Sequence, residues 1–333
     1  MILTVPQSSP PMQMAHATVL MAHDMAEVDK VIRCRLQSDV VLIQQIGEYI
    51  TSSGGKRIRP LLVLLFARAL GYEGPERFEL AATVEFIHTA TLLHDDVVDE
   101  SSLRRGRQTV NSLFGNAASV LVGDFLYSRA FQMLVSVKKN RVLEVLAEST
   151  NVIAEGEVLQ LMNMHNPDLS VDSYLKVIRF KTAKLFEASA RLGAILGNAS
   201  HDLEEACAGY GRALGTAFQL VDDLLDYAGN PEELGKNIGD DLREGKVTLP
   251  LLLAMSTGHT AYTELIRHCI QTGDVSHLEK IISIVKETGA LNGTRETAYK
   301  EVSKANHFLA TLPDSEYREA LLNLSASSVE RSF

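Results

Sequence analysis

The stretch LLHDDVVDESSLRRGR, residues 92–107, decides the fold expected for this chain. It ends an apolar helical pattern in three carboxylates and two adjacent arginines (Asp95, Asp96, Asp99, Arg104, Arg105). Since an α-helix repeats about every 3.6 residues, Asp95 and Asp99 stack on one face, while Asp96 lies about 100° round from them. The stacked pair suits a hard cation, and the apolar residues before it place that cation at the mouth of a buried interior.

A second acidic cluster repeats this spacing further along the chain. The stretch LVDDLLDY, residues 220–227, carries Asp222, Asp223 and Asp226 inside another apolar helical pattern. A lone DDxxD pattern is more often a solvated helix end, and like charges four residues apart repel each other mildly. Two such clusters in apolar helices instead predict bound metal. Because Mg²⁺ is usually held by one or two carboxylates plus phosphates, facing clusters would bind a metal–diphosphate.

The composition excludes several classes of protein. The chain has 333 residues, of which 46% are hydrophobic, enough for a large core. Its net charge of −10 argues against nucleic-acid binding. Cysteines 34, 207 and 269 are widely separated, which fits a reducing compartment. No signal peptide pattern is visible and the apolar runs at 61–67 and 249–255 are far too short to span a bilayer, so we expect a cytoplasmic protein without a transmembrane segment.

Prolines divide the chain into helices. A flexible lead-in is expected over residues 1–20, and the later prolines sit at predicted helix boundaries. Pro60 begins an apolar helix that ends at Gly71, and no sustained alternation indicates strands. We therefore expect an all-α fold, with residues 21–333 forming one large bundle around a central apolar cavity. Further helices are predicted over residues 25–52, 77–99, 116–137, 139–162, 170–196, 202–229, 248–256, 260–271, 276–289, 292–311 and 315–330.

The segment 229–245, GNPEELGKNIGDDLREG, is the weakest candidate for packing because it is polar and rich in glycine. It follows the second acidic cluster directly. A plain surface loop and a lid over that cluster both fit this position.

Basic residues gather near these motifs. The loop GGKRIRP, residues 54–60, places Lys56 and Arg59 before a helix start, which is a typical anion site. Lys181 lies in an otherwise apolar helix, and His88 lies two turns before Asp95 on the same face. Lone lysines more often snorkel to the surface and lone histidines are more often core residues. The six carboxylates that need counter-charge favour a functional role here.

This set of charges predicts metal-assisted chemistry on diphosphates. The sequence shows no triad of serine, cysteine and histidine, so covalent catalysis is not expected. The suitable reaction is departure of diphosphate from an allylic carbon. Cations would stabilise the leaving group while a dry apolar pocket protects the carbocation.

The sequence resembles the trans-type isoprenyl diphosphate synthases, and among them the bacterial long-chain polyprenyl diphosphate synthases. The resemblance covers about residues 25–330. It rests on five motifs in this order: GGKRIRP at 54–60, DDVVDESSLRRGR at 95–107, KT at 181–182, FQLVDDLLDY at 218–227 and GKNIGDDLREGKVTLP at 235–250.

The resemblance implies a role for each matching residue. The implied ligands of Mg²⁺ are Asp95, Asp99, Asp222 and Asp226, with Asp96 and Asp223 in support. The residues implied for the allylic diphosphate or its chain are Arg104, Lys181, Thr182, Gln219 and Lys246. Those implied for isopentenyl diphosphate are Lys56, Arg59, His88 and Arg105. The implied catalytic set is Asp95, Asp96, Asp99, Arg104, Lys181, Asp222 and Asp223.

The resemblance also implies a reaction and a product. Family members condense head-to-tail: the allylic substrate ionises, the isopentenyl double bond attacks, and the released diphosphate takes a proton. The implied product is an all-trans long-chain polyprenyl diphosphate, octaprenyl, made from farnesyl diphosphate for quinone side chains. A homodimer is implied, and transient membrane contact during product release stays open.

Residues one to three turns before Asp95 should line the product tunnel. Short-chain relatives carry bulky aromatics four or five residues before the first aspartate, whereas this chain has Thr91 and Ala90 there and Ile87 deeper. Each isoprene unit spans roughly one helical turn, ~5 Å, and buries five carbons at ~0.8 kcal/mol each, so growth is favoured until it is blocked. Phe131 is our hypothesis for the block. An ordinary core phenylalanine is the alternative.

Several alternatives stay open on the sequence alone. A shorter-chain geranylgeranyl synthase would share the motifs. A terpene cyclase would share the fold and the first cluster but would not need the GGKRIRP loop. A noncatalytic partner subunit of a heteromeric synthase should lack some carboxylates or arginines, and all are present here. The pair His94–Asp95 suits an HD-type phosphohydrolase, whose other histidine ligands have no evident place.

Overall fold

The computed structural model describes residues 12–104, 106–228 and 238–330, and most of these are helical. The helices in chain order are α1 (Met12–Leu20), α2 (Ala22–Arg35), α3 (Val41–Ser52), α4 (Ile58–Ala69), α5 (Glu76–Val98), α6 (Val110–Phe114), α7 (Asn116–Val137), α8 (Asn140–Asn163), α9 (Val171–Ile178), α10 (Lys184–Leu196), α11 (His201–Ala228), α12 (Asp240–Arg243), α13 (Leu249–Met255), α14 (Thr260–Thr272), α15 (Leu278–Glu287), α16 (Ala290–Leu309) and α17 (Glu316–Val329). Strands β1 (Leu103–Arg104) and β2 (Arg107–Gln108) pair antiparallel. The predicted all-α class is confirmed.

Helix α4 is buried because it is apolar on nearly every face. Its residues Leu62, Leu65 and Phe66 are fully buried. The helix packs between α5 and α10. The approach of α10 is close at Gly193, where an added Cβ atom would lie 2.6 Å from the Cβ of Phe66. The buried helix predicted around Pro60 is observed, and it supports α5, which ends in the first acidic cluster.

Helix α11 connects two apolar cores. Tyr210 and Leu214, in its first half, belong to the core that contains α4 and α5. Leu220 and Val221, in its second half, belong to the core formed with α13 to α16. The second acidic cluster therefore lies on the part of α11 that enters the second core.

The N-terminal region differs from the prediction in two places. Helix α1 lies inside the predicted lead-in of residues 1–20, packs against α17 and buries Ala17 completely, so the flexible segment was predicted too long. Residues 1–11 lie outside the described part. The helix predicted over 25–52 is split into α2 and α3. Between them the Ser38 hydroxyl accepts a hydrogen bond from the backbone N–H of Val40 at 3.2 Å, a local bond that competes with helix formation.

Two irregular elements were not predicted. The strands β1 and β2 form a short hairpin whose turn contains Gly106, at a φ of 71° that favours glycine. In the helix predicted over 170–196, residues Arg179–Ala183 form a π-helical turn. Such turns are frequent at functional sites, and this one contains Lys181 and Thr182.

Helix α7 is long and apolar enough to cross a membrane by length and composition. It carries the charged residues Asp124 and Arg129. In this structure 39% of its most apolar window is buried, and the helix packs against α5. Core helices of soluble proteins pass the same test, so α7 is a weak indication of a membrane span.

The segment 229–245 is described from residue 238 onward. There α12 is a single turn whose Leu242 is fully buried. The backbone N–H of Gly239 donates to the carbonyl of Asp226 at 3.1 Å. This half of the segment is thereby anchored on α11, and residues 229–237 of the predicted loop or lid lie outside the described part.

Candidate active site

The first acidic cluster lies where α5 ends, and a lysine from a distant segment meets each stacked aspartate. The ammonium of Lys181 lies 3.5 Å from a carboxylate oxygen of Asp95. The ammonium of Lys246 donates to Asp99 at 2.8 Å, across 147 residues of chain. Although burial alone would lower it, the charges of Asp99 and Glu244 raise the pKa of Lys246 well above its ordinary value. This lysine therefore stays charged beside the cluster.

Asp96 faces a different direction, as the helical spacing predicts. Its carboxylate is buried and accepts hydrogen bonds from Arg104, at 2.8 Å from Nε and 2.7 Å from Nη2. Burial raises the pKa of Asp96, and the positive charge of Arg104 opposes that rise. The hairpin of β1 and β2 thus holds Arg104 against the first cluster. Arg105, the second predicted arginine, lies outside the described residues.

The second acidic cluster is more deeply buried than the first. Asp223 accepts hydrogen bonds from the hydroxyl of Tyr174 at 2.6 Å and from Nε2 of Gln219 at 2.7 Å. Burial, and then the charge of Asp241, raises the pKa of Asp223 to about 7. Asp226 is fully buried, and its carboxylate accepts from the backbone N–H of Asp241 at 3.3 Å. Asp222 is the half-buried member of the three.

The π-helical turn and the segment after α12 link the two clusters. The hydroxyl of Thr182 donates to Gln219 at 2.9 Å, so the turn that places Lys181 at Asp95 also contacts the residue bound to Asp223. Lys246 contacts Asp99, and its backbone N–H donates to the carbonyl of Asp241 at 2.8 Å. The two clusters therefore border one polar region. Within the three described ranges, no group of three His, Cys, Asp or Glu side chains is placed to hold an ion by itself.

The start of α4 brings together two of the residues predicted for isopentenyl diphosphate. Nη1 of Arg59 lies 3.1 Å from Nε2 of His88. The Arg59 guanidinium also stacks on Phe186, 4.4 Å from the ring centroid, which fixes its direction. Lys56 is exposed in the loop before α4. Arg57 adopts a left-handed backbone with a φ of 49°, and its guanidinium pairs with Glu85 at 3.2 Å.

Comparison with known proteins matches residues 40–287 to the family model described as polyprenyl synthetase. The chain is 55% identical to the octaprenyl diphosphate synthase of Escherichia coli (strain K12) over 313 residues, covering 94% of this chain and 97% of that protein. It is 45% identical to an all-trans-nonaprenyl-diphosphate synthase of Rhodobacter capsulatus, covering 93% and 95%. A crystal structure of a polyprenyl synthase from Caulobacter crescentus CB15, complexed with calcium and isoprenyl diphosphate, superposes with a TM-score of 0.93 at 44% identity, covering 98% and 99%.

The chain belongs to the polyprenyl synthetase family. The resemblance inferred from the five sequence motifs is thereby confirmed.

Three residues of this polyprenyl synthetase contact the predicted site but were not predicted. Glu157 on α8 accepts from Lys181 at 2.6 Å, Glu244 pairs with Lys246 at 2.5 Å, and Tyr174 on α9 donates to Asp223. Burial, and then the charge of Asp95, raises the pKa of Glu157 to about 7, while Lys181 opposes the rise. No local pattern marks Glu157 and Tyr174, because each reaches the site through helix packing. Glu244 does have a sequence signal, since it lies two residues before Lys246 within the motif at 235–250.

The residues predicted to set product length in this polyprenyl synthetase lie on α5 and its neighbour α7. Ile87 and Ala90 are fully buried. Thr91 is half-buried, with its hydroxyl bonded to the carbonyl of His88 at 2.8 Å. Phe131 packs on Tyr127, with ring centroids 5.7 Å apart. A cavity of about 100 Å³ lies on another face of α5, between α2, α3 and the hairpin, and is lined by residues such as Phe86, Thr89 and Leu93.

Proposed function

We propose that this protein condenses isopentenyl diphosphate head-to-tail onto an allylic diphosphate, farnesyl diphosphate, to form an all-trans octaprenyl diphosphate for quinone side chains. The observation that carries the proposal is the pairing of Lys181 with Asp95 and of Lys246 with Asp99 beside the second cluster. Lysines and carboxylates lie side by side there. The carboxylates can bind a metal ion, and the lysines can bind the phosphate oxygens of a diphosphate. The 55% identity to an octaprenyl diphosphate synthase supports the product length.

Mg²⁺ fits the residues at this site. We propose Asp95, Asp99, Asp222 and Asp226 as ligands, with Asp96 and Asp223 in support. Burial, and then the negative charge of Asp241, raises the pKa of Asp223 to about 7, and a cation bound beside it would stabilise its ionised form. When bound, the metal supplies positive charge for the leaving diphosphate. Octahedral Mg²⁺ keeps several waters and shares substrate phosphates, so a few carboxylates suffice.

The chain's own residues then divide into two groups. We assign Arg104, Lys181, Thr182, Gln219 and Lys246 to the allylic diphosphate. We assign Lys56, Arg59, His88 and Arg105 to isopentenyl diphosphate. The first group neutralises charge as the allylic carbon–oxygen bond breaks, and the second orients the double bond that attacks it. The released diphosphate takes the proton, and apolar walls exclude water from the carbocation.

We propose that the protein acts as a homodimer in the cytoplasm. Helices α7 and α8 each leave large apolar side chains exposed, and a protein interface would cover such side chains. The exposed residues are Leu121, Val135, Val158, Leu161 and Met162. Light scattering on a sizing column tests the assembly: a mass near twice 36.5 kDa is expected, and a monomer at micromolar concentration would contradict it.

Incubation of the purified protein with Mg²⁺, farnesyl diphosphate and isopentenyl diphosphate tests the function, with mass spectrometry of the products. All-trans octaprenyl diphosphate is the expected result. A product of about twenty carbons would identify a geranylgeranyl synthase, the alternative in which the tunnel is blocked early. No product without a second polypeptide would identify a noncatalytic partner subunit.

A further inference from the structure

Each of the two lysines at the site contacts a second carboxylate from outside the acidic clusters. The ammonium of Lys181 lies 2.6 Å from Glu157, closer than the 3.5 Å to Asp95. The ammonium of Lys246 lies 2.5 Å from Glu244 and 2.8 Å from Asp99. The two arrangements match although Glu157 and Glu244 come from unrelated elements. The matching contacts indicate a shared role for the two glutamates.

The position of Glu157 is fixed by close backbone packing. It follows Gly156 on α8, and a Cβ atom added at Gly156 would lie 2.6 Å from the backbone nitrogen of Lys181 and 2.9 Å from the carbonyl carbon of Phe180. Only a residue without a side chain allows α8 to approach the π-helical turn so closely. Gly156 thus sets the position of the Lys181 backbone, and Glu157 sets the position of the Lys181 ammonium.

The position of Glu244 is fixed by a different anchor. The next residue, Gly245, has a φ of 75°, and its carbonyl accepts from the backbone N–H of His165 at 2.8 Å. The His165 ring contacts the carbonyl of Ile270 at 2.9 Å, which ties this segment to α14. Glu244 and Lys246 therefore lie on either side of an anchored glycine, with their side chains directed at each other.

A glutamate beside the lysine weakens the contact between the lysine ammonium and its aspartate. An ammonium has three donors and no acceptor, so one donor can stay with the glutamate while the others reach a ligand. An ammonium held on an aspartate oxygen competes with a metal ion for that oxygen. By sharing the lysine, the glutamate weakens that competition without removing the positive charge from the site.

We propose that Glu157 and Glu244 are positioning residues that hold Lys181 and Lys246 beside the acidic clusters and share their ammonium donors with Asp95 and Asp99, which weakens the competition of each lysine with a metal ion. This inference rests on the proposed binding of a metal–diphosphate. It assigns a place in the site to two residues that act through the lysines they contact. The π-helical turn and the close contact at Gly156 contribute to this positioning, because both set the distance from Lys181 to Glu157.

Calorimetric titration of Mg²⁺ with inorganic diphosphate tests the proposal without turnover. Glu157→Gln and Glu244→Gln should each weaken binding about tenfold, as losses of such supporting contacts do at metal sites. The matched control is Glu155→Gln, an exposed glutamate on the same helix that pairs with Asn151, and it should bind like the wild type. Melting temperatures should change little, because each lysine keeps its aspartate as a counter-ion and glutamine keeps the shape of the side chain.

A second comparison separates positioning from direct contact. In a Lys181→Met background, Glu157→Gln should cause no further loss, since the glutamate acts through that lysine. A further loss there, or wild-type affinity in both glutamine variants, would overturn the positioning role alone. A wild-type protein that binds no Mg²⁺–diphosphate would overturn the proposed function and this inference together.

Discussion

Replacement of Lys246 by methionine tests whether this lysine and a metal ion neutralise the same carboxylates. The lysine side chain is 17% exposed, between Asp99 at 8% and Glu244 at 19%. Its removal leaves two largely buried carboxylates without their common counter-ion. Breaking a buried ion pair in this way costs 3–5 kcal/mol, and we take about 3 kcal/mol because some exposure remains. At about 2 °C per kcal/mol for a large domain, the melting temperature should fall by about 6 °C in EDTA.

Calorimetry with and without Mg²⁺ measures this effect. Added Mg²⁺ should restore more stability to Lys246→Met than to the wild type, because the ion replaces the lost ammonium at Asp99. The control is Lys304→Met: Lys304 pairs with Glu301 at 2.7 Å, but its side chain is 59% exposed. A pair of that kind contributes less than about 1 kcal/mol. Equal losses in the two variants, or no larger gain from Mg²⁺ in Lys246→Met, would refute the reasoning.

Three further substitutions give independent tests. Burial alone would raise the pKa of Asp24, but hydrogen bonds from Arg68 and Arg77 lower it well below the ordinary 3.8. Because its pKa is lower in the folded state, Asp24 stabilises the fold above pH 3.8, and this stability is lost as the pH falls. Asp24→Asn should therefore lower the free energy of unfolding, measured by urea denaturation, by about 3 kcal/mol at pH 7 and by progressively less below pH 4. A difference between variant and wild type that stays constant down to pH 3 would contradict the ion pairs. Ala90 is fully buried, and Ala90→Tyr should shorten the products to about fifteen or twenty carbons, since a packed interior offers no other room; continued long-chain synthesis on chromatography would defeat the tunnel argument. Phe131→Ala should lengthen the products, and an unchanged length distribution would refute its assignment as the block.

Residues whose placement depends on local spacing could be predicted from the sequence. Asp95 and Asp99 share a face because the helix repeat fixes it, and Asp96 turns away to Arg104 as the same repeat requires. Helix α7 was predicted with its observed bounds, Asn116–Val137. Lys181 was predicted at the site, although its aspartate partner could not be assigned from spacing.

Features that arise from packing between distant segments could not be predicted. Glu157 reaches Lys181 because Gly156 permits a close approach of α8, and neither residue has a periodic or compositional signature of that contact. The π-helical turn inserts one residue into a pattern that otherwise reads as a continuous helix. One local bond, at Ser38, lies in the break between α2 and α3, and such a bond is too weak a sequence signal to override helical periodicity in a prediction.

The most direct test compares condensation of farnesyl diphosphate and isopentenyl diphosphate by the wild type, Asp95→Asn, Asp222→Asn and the double variant in Mg²⁺. If both acidic clusters hold one shared metal–diphosphate, each single substitution should lower the rate at least about a hundredfold, and the double variant should be little slower than either, because residues that act as a unit are not additive. Normal condensation by either single variant would contradict the account.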